Sequence, residues 1–294
     1  MSGLSQTGDL SESVAIGEPP PPRRSRRHLV VLVATLLALA LAAALVFVVL
    51  RPTDDATPPA SAPDSESESE PEPERVSAGA QTSAATILEW GEPSMVEEFD
   101  GPLGPEWQLY DGPGHVGNGI RSPEAVSVQD GLLTITGDSA GTTGGMAWFP
   151  GQQYGRWEGR VRAPESDETY HALLLLWPDA EDWPVGGEVD FMEMLDPSRQ
   201  RTEIFIHYGE DDSKVQGEVL ADGTQWQNWA VEWTPDHIAA YLNGKEWYRT
   251  TDTKVLPPRS MHLCIQLDWF PEQGDPNDVE ESTMEVDWVK QYPL

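Results

Sequence analysis

Gly187-Glu188-Val189-Asp190-Phe191-Met192-Glu193 places three carboxylates within one short apolar run that continues through Met194 and Leu195. Such a run reads as a buried strand. A regular strand sends alternate side chains to opposite faces, so Glu188 and Asp190 share a face. Glu193 would point the other way. One extra residue in a β-bulge, supplied by Met192, returns it to their side. Three acids buried together without a task would be costly in repulsion and desolvation. Facing a cleft, they supply one carboxylate that can attack, one acid that can give and take a proton, and a third between them.

Outward from that strand, the chain from about residue 86 alternates short strands with Gly, Pro, Asp and Asn turns. Leu132-Leu133-Thr134-Ile135-Thr136, Arg156-Trp157-Glu158-Gly159-Arg160-Val161-Arg162 and Ala239-Ala240-Tyr241-Leu242 are examples. Asn243-Gly244 after the last of these is a hairpin signal. No stretch keeps a helical period. Residues 86–294 are therefore expected to form an all-β, two-sheet antiparallel sandwich of jelly-roll type, with a concave face able to hold a long polymer.

The first 85 residues differ. Residues 1–28 are polar and contain Pro19–Pro22, then Arg23, Arg24, Arg26 and Arg27; they read as a disordered cytoplasmic tail. Residues 29–50 are a charge-free run, apolar except for Thr35, enough for one membrane helix, which needs about 20 residues. The basic cluster lies before the run, which predicts a cytoplasmic N-terminus and an extracellular remainder. The run exceeds a usual signal-peptide core and leads on to no polar mature start. An uncleaved signal anchor in the plasma membrane is expected. Residues 51–85, rich in Pro, Ser and Glu, read as an extended acidic linker.

The chain carries a formal net charge of −32, and its sole cysteine is Cys264. The charge excludes a nucleic-acid partner by repulsion of phosphates. Cys264, between Leu263 and Ile265, reads as a buried inert thiol. Of twelve tryptophans, some must be core residues of an all-β domain, and others suit sugar binding, because a flat indole stacks on the apolar face of a sugar ring.

Several segments resemble glycoside hydrolase family 16. They are Tyr154 to Val161, Leu176-Trp177-Pro178, Trp183-Pro184 with Gly187 to Glu193, Ile206-His207-Tyr208-Gly209, Trp229 to Asp236, and Met284 to Val289. The E-x-D-x-x-E pattern matches the bulged, laminarinase-like branch. The resemblance implies a retaining endo-hydrolase of a β-linked polysaccharide, of β-1,3-glucan or galactan type. Glu188 would be the nucleophile, Glu193 the acid/base and Asp190 their helper. A transglycosylase remodelling surface glycan would use the same residues, and a non-catalytic glycan-binding domain is the reading from another class.

The resemblance also implies a substrate-binding set. Trp183 and Trp177 would stack on sugars, with core packing the alternative, His207 would lie in the cleft near Glu193, and Asn118 would border the donor subsites or be a plain turn asparagine. Gln266 and Asp268 face one side by alternation, and with Trp269 they replace the usual laminarinase strand, so the sugar accepted is expected to differ. Arg156 and Glu158 are candidates for a pair across the cleft floor; Trp148, Tyr170 and His171 are further cleft candidates. Catalysis needs no cofactor. A structural calcium ion on the convex face would draw on Glu98 and Asp287.

Overall fold

The computed structural model describes residues 82–294 other than 276. The expected tail and membrane run, and all of the linker but its last four residues, lie outside the described residues. No described helix is long and apolar enough to cross a membrane.

Among the described residues, eighteen strands, β1 to β18 in chain order, form two large antiparallel sheets and one small one. The first sheet runs β16 (Lys245–Thr250), β15 (Ile238–Leu242), β14 (Gln227–Trp233), β9 (Gly155–Arg162), β18 (Ser282–Tyr292), β6 (Leu132–Gly137) and β5 (Val126–Gln129), with β1 (Met95–Glu97) also on β18. The second runs β13 (Ser213–Leu220), β12 (Arg201–Tyr208), β11 (Glu188–Met194), β10 (Tyr170–Pro178), β17 (Met261–Trp269), β8 (Gly145–Gln152) and β2 (Trp107–Leu109). The small sheet joins β3 (Gly112–Pro113), β4 (Ile120–Arg121) and β7 (Thr142–Thr143).

One apolar core lies between the large sheets, where alternate residues of each strand turn inward. Trp148, Trp157, Trp229 and Trp233 are among its largest buried side chains. Trp148 and Tyr170, expected in the cleft, are core residues instead, 1% and 0% exposed. The Asn243-Gly244 hairpin forms as predicted. Both residues take positive φ (50° and 75°), and Leu242 pairs with Lys245 across the turn; matching the strand twist needs that left-handed pair.

The outer face of the first sheet carries an element that the sequence did not suggest. Helix α1 (Ala84–Ile87) lies across it, starting before the expected boundary at 86. Ala84, Ala85 and Trp90 pack on Ala230, Ala239, Tyr241 and Tyr292. Glu158 is buried under it, accepting hydrogen bonds from Ser83 Oγ (2.7 Å) and the Ala84 and Ala85 amides (2.6 and 3.3 Å). These are amides that a helix start leaves unpaired. Arg156 pairs with Glu232 at 2.6 Å. The expected Arg156–Glu158 pair in the cleft is therefore absent, because β9 belongs to the other sheet.

Candidate active site

The outer face of the second sheet forms a groove of about 840 Å³. Its floor is a set of cross-strand rows. Glu188 opposes His207, which opposes Lys214 on β13. Leu175, Asp190, Phe205 and Gln216 form a second row. Gln266, Leu173, Glu193 and Glu203 form a third.

The bulge that unites the acids is present. Between Asp190↔Phe205 and Glu193↔Glu203, two residues of β11, Phe191 and Met192, stand against Ile204 alone. Against β10, Asp190 opposes Leu175 and Met192 opposes Leu174. The inserted residue in that ladder is thus Phe191, one place before the expected Met192. Both turn into the core, 1% and 0% exposed. Two successive inward side chains reset the alternation, so Glu188, Asp190 and Glu193 all line the groove.

Burial governs the proton affinities of Glu188 and Asp190. Asp190 is 3% exposed and Glu193 8%. Burial pushes Glu188 up to about 8; the Glu193 charge adds to this, and hydrogen bonding from Asp190 and Trp183 partly offsets it. Asp190 is raised well above the usual carboxylate range, by burial first and then by Glu188 and Glu193. Asp190 is therefore the group that keeps its proton, and Glu188 ionises first. Asp190 Oδ1 is buried without a partner of good geometry. A proton there, offered to Glu188, satisfies both carboxyls.

His207 corrects one expectation. It sits beside Asp190, with Nε2 at 3.6 Å from Oδ2, and its Nδ1 lies 2.6 Å from Asp212 Oδ1. It is not the partner of Glu193, because the register sets it opposite Glu188. His171 on β10 takes that place, with Nδ1 at 3.0 Å from Glu193 Oε1. Ligand atoms of Glu188, Asp190 and His207 also lie within 4.8 Å of one another, close enough to surround a cation.

Trp177 and Trp183 both line the groove. Their rings are nearly parallel, 8° apart, with centroids separated by 6.4 Å. Trp183 is 41% exposed, and Trp177 is fixed by an indole hydrogen bond to Glu181. Gln266 and Asp268 line the groove as alternation required. Gln266 Oε1 is buried without a partner. Asp268 is held by Arg121, whose guanidinium contacts both carboxylate oxygens at 2.7 Å. Neighbouring groove residues absent from the sequence reading include Tyr110, His115, Phe270 and Gln273. They come from separate loops, which strand patterns do not place.

Two subsite expectations fail. Trp269 points away from the groove, as the residue after Asp268 must. It packs against Gly141 and hydrogen-bonds Thr169; any side chain at Gly141 would strike its ring. Asn118 does not line the groove. It closes a tight turn, its amide bonding to His115 O, and its neighbours His115 and Val116 reach the groove instead. The pair expected for calcium does not fit an ion as it stands. Glu98 is bonded to Lys290 at 2.9 Å and Asp287 to Arg160 at 2.5 Å, so each carboxylate already has its cation. Cys264 is buried beneath the groove and its thiol is pushed up by burial, in keeping with an inert thiol.

The sequence profile of glycosyl hydrolases family 16 matches residues 118–290. The chain belongs to that family.

Among curated family relatives, a beta-glucanase of Rhodothermus marinus is 24% identical over 176 residues, covering 51% of this chain and 60% of its own length. Glucan endo-1,3-beta-glucosidase A1 of Niallia circulans is 26% identical over 168 residues, covering 48% of this chain and 24% of its own length. The matches thus span well under two thirds of these relatives. In fold, the chain is similar to the catalytic domain of an endo-1,3-beta-glucanase (laminarinase) from Thermotoga petrophila RKU-1 (TM-score 0.61, 18% identity, covering 68% of this chain and 97% of that one). LamAcat from Zobellia galactanivorans is equally similar (TM-score 0.61, 18% identity, 70% and 99%).

Proposed function

We propose that residues 86–294 are a retaining endo-hydrolase of a β-linked glucan. The observation that carries this reading is the bulge that turns Glu188, Asp190 and Glu193 into one groove. Membership of family 16 and the glucanase names of the relatives support it. Glu188 attacks the anomeric carbon and forms a glycosyl-enzyme. Glu193 donates a proton to the departing glycosidic oxygen, then takes one from the water that releases the sugar. Retaining enzymes hold the two working carboxyls about 5–5.5 Å apart, and the bulge is what brings such side chains to one face. Asp190, protonated, hydrogen-bonds Glu188 and steadies its ionised form.

We further propose that residues 29–50 anchor the protein in the plasma membrane, N-terminus inside, with the linker up to about residue 81 as a stalk and the groove outside. Peptides containing Arg23 to Arg27 in the membrane-bound mature protein support this; their loss sinks it.

Incubation of the purified protein with laminarin, mixed-linkage β-glucan and β-galactan tests the activity, with the anomer of the first product read by NMR. Initial release of the β-anomer from one of these supports the reading. Release of the α-anomer overturns retention, and no release from any polymer overturns the hydrolase. Products longer than the starting oligosaccharide would mark a transglycosylase.

A further inference from the structure

His171 is held on three sides. Nδ1 lies 3.0 Å from Glu193 Oε1 and Nε2 3.0 Å from Gln273 Oε1. Its ring stacks on Phe270, with centroids 4.1 Å apart and planes 23° apart. It is 1% exposed. An imidazole gripped at both nitrogens and one face has a single orientation.

That grip also selects a tautomer. A neutral imidazole has one N–H and one lone pair. Gln273 Oε1 can only accept, so Nε2 carries the hydrogen. Nδ1 is left with its lone pair, and it can bond Glu193 only when Oε1 of Glu193 carries the proton. The geometry points to His171, as a neutral ring, being a positioning residue that favours the protonated form of Glu193 and fixes its carboxyl in place, with Gln273 choosing the tautomer. This rests on Glu193 being the acid/base.

Ionisable groups face the pair from several strands. Glu188 and Asp190 approach Glu193 along β11, and Glu203 faces it from β12, paired to Arg201. On the other side Asp268 is matched by Arg121, with His115 3.9 Å away. During glycosylation Glu193 gives up its hydrogen bond to Nδ1 and passes its proton to the glycosidic oxygen, as the C–O bond breaks and the Glu188–carbon bond forms. In the second step Glu193 takes a proton from water and offers it back to Nδ1. His171 ends each step unchanged in charge.

Two measurements test this. kcat/KM is compared for wild type and His171→Ala on aryl β-laminaribiosides carrying a phenolate or a dinitrophenolate leaving group. A phenolate needs the acid proton and a dinitrophenolate does not. A loss of tenfold or more on the phenyl substrate, with less than threefold on the dinitrophenyl one, supports the role. Equal losses on both, or none, overturn it. Separately, ¹⁵N NMR of the wild-type imidazoles should show His171 with Nε2 protonated and Nδ1 bare but hydrogen-bonded, the Nδ1 signal moving in Glu193→Ala. A ring protonated at Nδ1, alone or with Nε2, overturns the inference. If wild type turns over neither glycoside, these substrates fail the hydrolase reading, and the NMR result alone decides the role of His171.

Discussion

Arg121 holds Asp268 through a bidentate ion pair at the side of the groove away from Glu188, with the carboxylate side chain only 4% exposed and the guanidinium 19%. The guanidinium also lies over the Tyr110 ring, 5.2 Å from its centroid. A carboxylate that looked free to contact sugar is thereby neutralised and fixed in orientation. Removing one partner strands the other. Arg121→Ala should cost roughly 3–5 kcal/mol of stability, as when a buried pair is broken. The double variant Arg121→Met with Asp268→Leu should recover most of it. Urea unfolding of the three proteins measures this; equal stabilities would show that the pair is structurally idle.

Asp190 should act as a neutral hydrogen-bond donor. Asn is close to isosteric with the protonated acid and also donates. Asp190→Asn should therefore leave the acidic limb of the kcat/KM profile, set by ionisation of Glu188, nearly in place. Asp190→Ala removes the bond that favours ionised Glu188, which raises the proton affinity of Glu188. Its acidic limb should move to higher pH. The reverse pattern, with Asn shifting the limb and Ala not, would mean that Asp190 works as an anion.

What could be read from the chain alone follows from locality. The bulge was legible because Glu188, Asp190 and Glu193 lie on one strand, and only an insertion puts all three on one face. Alternation placed Gln266 and Asp268 correctly, and the same rule excludes Trp269. The Glu193–His171 contact was not legible. It depends on the β10–β11 register across a connection containing Trp183 and Pro184, and on Phe270 and Gln273 some hundred residues further on. His207 was placed in the groove but beside the wrong acid, for the same reason: cross-strand register is a tertiary property. Glu158 could not be understood without α1, because only that helix supplies the amides it caps.

Glu188 should lower the stability of the fold at the pH where it works. Its folded value is raised to about 8, chiefly by burial, above the ordinary glutamate value of about 4.3 for an unfolded chain. Between those values the folded state keeps a proton that the unfolded state releases. Stability contributed by this site is thus present below the unfolded value and falls as pH rises toward about 8. Glu188→Gln removes the ionisation and should raise stability at pH 8 by about 1–3 kcal/mol, with little change at pH 4. Calorimetry at the two pH values checks this; a gain of the same size at both would place the cause in packing.

Trp183 should act through its ring face. It is half-exposed at the groove, parallel to Trp177, so its replacement removes little from the core. Aromatic contacts of this kind are worth about 0.5–1.5 kcal/mol, which corresponds to a roughly twofold to tenfold change in affinity. Trp183→Ala should raise KM by that factor on a polymeric substrate, with the melting temperature nearly unchanged. Trp183→Phe keeps an apolar face and loses the indole N–H, which helps to hold Glu188 ionised. Its KM should stay near wild type while its acidic limb moves up in pH. A Phe variant as poor in KM as the Ala variant would assign the contribution of Trp183 to its hydrogen bond.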